Sequence, residues 1–260
     1  MLYSKLYGKV LNKQTATAVE YVNIGVPVKN IGTVCDMNGN VTIAIDKKYE
    51  NDTLLFSCLG YEPSYLKVKD FMVNSNKPVL LTEKTFSFNE VVVKPQKTAL
   101  KTIGITSRET HVAAGFKSEE NNLGYELGLL MHVKKSAEIE KININIKHCT
   151  YDSVFFRLNI YSRNKKDGFV NIIKKPIYIK LSKDRAKEII TVDLQNEGII
   201  VQGDFLVSLE YVKNLGNGRL SFCSKLVTHT TYYRLTSQGE WQKFPFGVGI
   251  GISADVKIEE

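Results

Sequence analysis

Apolar residues recur at every second position over most of this chain, the period of a strand that turns one face to a core. In the first part Val22, Ile24 and Val26 alternate with Tyr21, Asn23 and Gly25. Val41, Ile43 and Ile45 alternate with Thr42 and Ala44, and Leu54, Phe56 and Cys58 form a third inward set. The breaks between these runs carry turn chemistry. Asn38-Gly39 favours a tight reversal because both residues tolerate positive φ, and Glu50-Asn51-Asp52 is a polar interruption before the next strand. Short strands with such breaks predict a sandwich rather than βαβ units.

The second half follows the same grammar. Ile142, Ile144 and Ile146 alternate with asparagines, and Val154, Phe156, Leu158 and Ile160 alternate with Phe155, Arg157, Asn159 and Tyr161. Further inward sets are Ile177, Ile179, Leu181; Ile190, Val192, Leu194; Phe205, Val207, Leu209, Tyr211; Leu220 with Phe222; and Ile250 to Ile258 at alternate positions. Such a succession suits a jelly roll or related sandwich. The helix-like stretch 182–188 is short and reads as a polar loop or single turn. From Lys97 to about Gly115 the chain turns polar and aperiodic, which predicts a linker. The expected organisation is all-β: one sandwich over residues 1–96, a linker over 97–114, and a second, jelly-roll-like sandwich over 115–260.

The first part also resembles a known family. Leu6-Tyr7-Gly8-Lys9-Val10, then residues 21–26, a Gly-Thr turn at Gly32-Thr33, Asp36-Met37-Asn38-Gly39-Asn40 and residues 53–61 stand in the order of the carboxypeptidase-regulatory-like domain of Bacteroidetes envelope proteins. Glu90 before Val91, Val92 and Val93 matches the acidic residue and valine run that close that module, and Pro95 ends the strand. The resemblance implies a prealbumin-like, seven-stranded Greek-key sandwich, with Gly60 freeing the backbone to turn and Tyr61 finding a backbone partner for its hydroxyl. Cys35 and Asn40-Val41 depart from the usual pattern. Residues 192–194, 203–210 and Glu240-Trp241 resemble, more loosely, the sandwich often attached to such modules. In that family the neighbouring catalytic domain hydrolyses peptides, so the resemblance implies a fold and an envelope setting without a reaction.

Composition narrows the setting further. No run of eighteen apolar residues exists to span a bilayer as a helix. The first residues lack a basic segment followed by an apolar one, so no leader is expected in the sequence as it stands. The expected location is the periplasm or the outer membrane's periphery if a leader has been removed, and the cytoplasm otherwise. Cys35, Cys58, Cys149 and Cys223 are too sparse for a disulfide framework, with Cys58 reading as a small core residue and a Cys35–Cys58 bridge left open. The formal charge of +8 is concentrated in residues 134–187, which carry +9. A polyanion surface is the sharp reading of those lysines; a solvated face without a nucleic-acid motif is the plainer one.

Reactive constellations are sparse. His111, His132, His148 and His229 are widely separated, without His-x-x-Glu spacing, so no metal site or cofactor is expected. His148 and Cys149 are neighbours on a strand and point to opposite faces, while a pairing such as Cys149 with His229 stays open. Gly247, Gly249 and Gly251 strip one face of a strand, with Trp241 or Phe244 as the ring expected against it. Asp193, Glu210 and Glu240 are available carboxylates that nothing in the sequence pairs, and Asp193 is expected to support a turn. No catalytic residue is assigned. The candidate ligand residues are Tyr232, Tyr233 and Trp241, aromatics in a polar stretch of the kind that holds sugars or peptide segments. The expected function is a non-catalytic envelope binding or structural protein, with a carbohydrate or another envelope protein as partner. The alternatives are a hydrolase with its site in the second sandwich, or a carbohydrate-binding module.

Overall fold

The inward sets of the first part each become a strand in the computed structural model, which describes residues 3–74, 77–84, 98–109, 112, 114–117, 122–164, 168–185, 189–226 and 229–259. The first seven are β1 (Tyr3–Asn12), β2 (Asn23–Val26), β3 (Ile31–Val34), β4 (Asn40–Asp46), β5 (Thr53–Ser57), β6 (Ser64–Lys67) and β7 (Val79–Leu81). They form two sheets in the orders β4-β1-β7 and β3-β2-β5-β6. Val10, Val41, Ile43 and Ile45 from one sheet meet Val22, Ile24, Leu54 and Phe56 from the other. A helix absent from the sequence reading, α1 (Val68–Val73), closes the end of this core. It buries Val68 and Phe71, three positions apart on one helical face, and Phe71 lies 5.7 Å from Phe56.

The reversal before β4 follows the sequence closely. Asp36 Oδ1 accepts from the backbone amides of Asn38 and Asn40, and Gly39 takes φ +73°. A Cβ there would stand 2.4 Å from the Val10 carbonyl oxygen. Gly39→Ala therefore meets both a left-handed backbone and a steric wall, and should cost about 1–3 kcal/mol. Urea unfolding checks this; a loss below about 0.5 kcal/mol would contradict the packing at this turn. The strand expected over residues 82–93 lies outside the described residues from 85 onward, and its described start holds Glu83 in an isolated bridge with Tyr61. Tyr61 departs from expectation in a small way, since its hydroxyl accepts from the Asn12 side-chain amide at 3.4 Å rather than from backbone.

The remaining strands are β8 (Thr98–Gly104), β9 (Gly115–Lys117), β10 (Glu126–Cys149), β11 (Ser153–Asn164), β12 (Gly168–Asn171), β13 (Ile177–Ser182) and β14 (Ile189–Asp193). After them come β15 (Ile200–Glu210), β16 (Arg219–Phe222), β17 (Ser224–Lys225), β18 (Thr230–Arg234), β19 (Gln242–Lys243), β20 (Gly249–Ile250) and β21 (Ile252–Glu259). The 24-residue β10 organises this second half, most of whose described strands join through it into one twelve-stranded sheet that encloses a single core. Its first half pairs with β15 and β18, and its second half with β14 and β21. Between the halves the register shifts at Val133/Ala137, and again at Ile139/Lys141, bulges that let one strand pass between two layers. Leu127, Leu129 and Met131 from before the bend share one core with Ile142, Ile144 and Ile146 after it.

One expectation about this half is corrected, and one strand is added. Thr98–Gly104 is not linker: it is a strand, β8, antiparallel to β21. Among the described residues β8 pairs with β21 alone, an edge with solvent on much of its surface, and it lacks the apolar alternation that marks a half-buried strand. The second sandwich also has a strand well before Ile142. The run Leu127 to Met131 conceals it because Leu130, on the outer face, packs on aromatic rings, so both faces are apolar and period two disappears. The loop expected over 182–188 is a turn at Lys183–Arg185 as far as it is described. Asp193 supports a turn as expected, accepting from the Gln195 amide at 3.0 Å.

Candidate functional site at the junction of the two sandwiches

The outer face of β11, β15, β10 and β18 carries the site. Alternation puts Phe156, Leu158, Val207, Leu209, Leu127 and Leu129 into the core, which turns Arg157, Glu210, Glu126 and Arg234 outward. Strand register sets those four in one row: Arg157 is opposite Glu210, Glu210 opposite Glu126, and Glu126 opposite Arg234. The next row is Asn159, Ser208, Gly128 and Tyr232. Two carboxylates directly opposite each other repel, and the flanking guanidinium groups offset that repulsion. Arg157 Nη2 lies 2.7 Å from Glu210 Oε2, and Arg234 Nη2 lies 2.6 Å from Glu126 Oε2.

The first sandwich covers part of this face. Its strand β2 turns Ile24 and Val26 into its own core and so presents Asn23 and Gly25 to the second sandwich, with Tyr21 in the turn that leads into it. Asn23 Nδ2 donates to Glu210 Oε1 at 2.6 Å, and its side-chain oxygen accepts from Arg157 Nη2. Arg157 Nη1 donates to the Tyr21 carbonyl at 2.8 Å. The Tyr21 ring packs 5.2 Å from Phe155 and 5.3 Å from Tyr178. Backbones approach closely here: Val28 N–H donates to the Gln238 carbonyl at 2.9 Å, and a Cβ on Gly25 would lie 2.5 Å from the Ser237 carbonyl oxygen.

The covered charges are buried, and both carboxylates are engaged. Glu126 and Glu210 have no exposed surface. Burial alone would raise the Glu210 carboxyl, but Arg157 and Arg234, with hydrogen bonds from Arg157 and Asn159, hold it below the usual carboxylate range. Both arginines are buried; their carboxylate partners raise their pKa against that desolvation. Glu210 Oε2 also accepts from Asn159 at 2.9 Å. Glu126 Oε1 accepts from Asn159, the Tyr161 hydroxyl and the Ser208 hydroxyl, the first two at 2.9 and 3.1 Å. A carboxylate with this many donors, and a guanidinium beside it, is a poor general base.

Beside the covered row the two sandwiches part and leave a cleft of about 350 Å³. Ser57, Leu59, Pro63 and Lys84 line it from the first, and Asn159, Tyr161, Phe169, Asn171 and Arg234 from the second. Behind it stands an aromatic cluster. Phe169 is 5.0 Å from Tyr232 and 5.4 Å from Trp241, and Trp241 is 5.6 Å from Tyr161. The Arg234 guanidinium lies 5.0 Å from the centre of the Trp241 ring.

Of the aromatics singled out from the sequence, Tyr232 and Trp241 join this cluster and Tyr233 does not. Tyr232 is buried rather than exposed. Tyr233 points into the opposite face, 6.0 Å from Phe244, with its hydroxyl donating to Gln242 at 2.7 Å. Consecutive strand residues cannot share one surface. The structure also brings in Glu126, Arg157, Asn159 and Arg234, which the sequence reading passed over, and gives Glu210 the facing carboxylate that nothing in the sequence supplied.

Other candidates separate. Cys35 and Cys58 are free thiols, not a bridge. Cys35 accepts from the Val22 amide and donates to the Val19 carbonyl, and burial pushes it up to about 12 and Cys58 to about 11, far from a thiolate nucleophile. His148 is exposed and Cys149 buried, and the Cys149 sulfur lies by the Tyr151 carbonyl at 3.9 Å. No group of three His, Cys, Asp or Glu side chains suited to a metal occurs among the described residues. His111 lies outside them. Neither Trp241 nor Phe244 is what lies nearest to Gly249 or Gly251: a Cβ on Gly249 would run into Ile105, and one on Gly251 into Asn145. No helix among the described residues is long and apolar enough to cross a membrane.

Comparison with known proteins bears on the first sandwich. Residues 6–93 match the CarboxypepD_reg-like domain family. The CarboxypepD_reg-like domain thus supplies Asn23, Ser57 and Lys84 to the junction, while the charged row belongs to the sandwich that follows it. A search of curated proteins finds no match to the chain.

Proposed function

We propose that this protein is a non-catalytic binding protein of the cell envelope, and that it holds a small polar ligand in the cleft between its CarboxypepD_reg-like domain and its second sandwich. The cleft carries the reading. It sits where the two sandwiches meet, has an aromatic side and a polar floor, and at about 350 Å³ falls at the small end of ligand pockets. The engagement of Glu210 at the cleft, and of Glu126 opposite it in the row, supports binding over hydrolysis, since neither carboxylate is left to activate water. The CarboxypepD_reg-like domain supports the envelope setting, which fractionation of the source cells would test.

The chain's single tryptophan reports on this site, because Trp241 stands behind the cleft against Arg234. A panel of small saccharides, amino-acid derivatives and organic acids should contain compounds that change Trp241 fluorescence and raise Tm. Pro63 is exposed at the cleft wall, so Pro63→Phe should fill the opening, leave the fold intact and abolish both responses. Responses that persist in Pro63→Phe, or turnover of a panel member, would overturn the reading.

A further inference from the structure

The hydrogen-bonding capacity left over in the cleft is one-sided. Glu210 Oε1 is taken by Asn23, and its Oε2 by Arg157 and Asn159. Both Glu126 oxygens are likewise taken, by Asn159, Tyr161, Ser208 and Arg234. The acidic groups therefore have no acceptor to offer a ligand hydroxyl. The basic side is not exhausted. Arg234 lines the cleft with 9% of its surface exposed, and its Nε, itself buried, has no hydrogen-bond partner among the described residues. Its Nη2 is committed to Glu126. A buried donor without a partner costs on the order of 1–3 kcal/mol, which a ligand acceptor would recover. Charge leans the same way. The row of two arginines and two glutamates is neutral, and Lys84 at the exposed rim adds a positive charge.

We propose that the cleft receives a carboxylate, with Arg234 donating to it at the floor, Lys84 facing it at the rim, and the Phe169 and Tyr161 rings against an apolar face of the same ligand. The inference rests on the cleft being a binding site, and it names what that site selects. Two kinds of small molecule share the chemistry: a uronic acid, whose ring has an apolar face, and an N-acylated aromatic amino acid of the kind that ends a peptide.

Matched pairs test it. Glucuronate with glucose, and N-acetylphenylalanine with its amide, are titrated into the full chain while Trp241 fluorescence is read. At least one acid should bind with its neutral counterpart weaker by on the order of tenfold, and that preference should shrink as salt is raised. The acid that binds identifies the source, sugar or peptide end. Lys84→Glu, at an exposed position, should raise Kd for the acid about tenfold and leave any binding of the neutral partner unchanged. Arg234→Lys keeps a cation for Glu126 but removes Nε, and should weaken the acid further. A neutral compound that binds as well as its acid would overturn the carboxylate assignment and leave the cleft standing as a site. Failure of both acids while other panel members still respond would do the same, and silence from every compound would end both proposals.

Discussion

Arg157→Ala should destabilise the protein by about 3–5 kcal/mol, the range seen when one partner of a buried ion pair is removed. The cost comes less from the lost attraction than from what stays behind. Glu210 would remain fully buried beside Glu126, with Arg234 Nη2 at 3.8 Å as its nearest remaining cation. The Tyr21 carbonyl and the Asn23 side-chain oxygen would each lose a donor as well. Those two acceptors belong to the first sandwich, so the variant should also loosen the junction. Calorimetry would read this as one transition in the wild type and two in the variant. Arg157→Met combined with Glu210→Gln should recover part of the loss, since it leaves no unpaired charge. A loss under about 1 kcal/mol for Arg157→Ala, with the single transition retained, would mean that the row does not hold the units together.

Much of the architecture could be read in the sequence because period two survives wherever one face of a strand is buried and the other is wet. Val41, Ile43 and Ile45 are buried and Asn40, Thr42 and Ala44 exposed, so β4 is plain in the sequence. The pattern failed at its two extremes. β8 is mostly exposed with Ile103 packing on the core, and the start of β10 is buried on both faces, so neither alternates. The helix α1 escaped because its six residues bury two side chains, too short a run to establish a period.

The site was half legible. Tyr21, Asn23 and Gly25 were visible as the outward set of one strand, and Arg157, Asn159 and Tyr161 as the outward set of another. Alternation says only that such residues leave their own core. That these two outward sets face each other is a tertiary fact, fixed by the packing of one sandwich on the other, and it converts an apparent surface into a buried charge row. An arginine, an asparagine and a tyrosine successively on one face of β11 are ordinary for a wet surface, so residue type alone carries no signal of the buried row. The cross-strand row itself requires the register of four strands that lie far apart in sequence, from Glu126 to Arg234. Tyr232 and Tyr233 misled for the reverse reason, since nearness in sequence within a strand places side chains on opposite faces.

Acid should weaken the fold through the same row. Glu210 has its pKa lowered in the folded state, so its ionised form stabilises the protein at every pH above the ordinary carboxylate value near 4.5, and that contribution is lost as pH falls through the depressed folded value. Within that window the unfolded chain binds more protons than the folded one, which is the condition for stability to fall with pH. The groups facing Glu210 are Arg157 from β11, Arg234 from β18, Glu126 from β10 and Asn23 from β2, and the arginines stay charged throughout. Urea unfolding at pH 7, 5, 4 and 3 should show stability holding to about pH 5 and then dropping. Glu210→Gln should start lower at pH 7, because an amide beside Arg157 replaces an ion pair, but should lose less between pH 5 and pH 3. The two curves would then converge at low pH, where the wild-type carboxyl is itself neutral. Parallel curves across the whole range would assign the acid sensitivity to other carboxyl groups and remove Glu210 as the linked site.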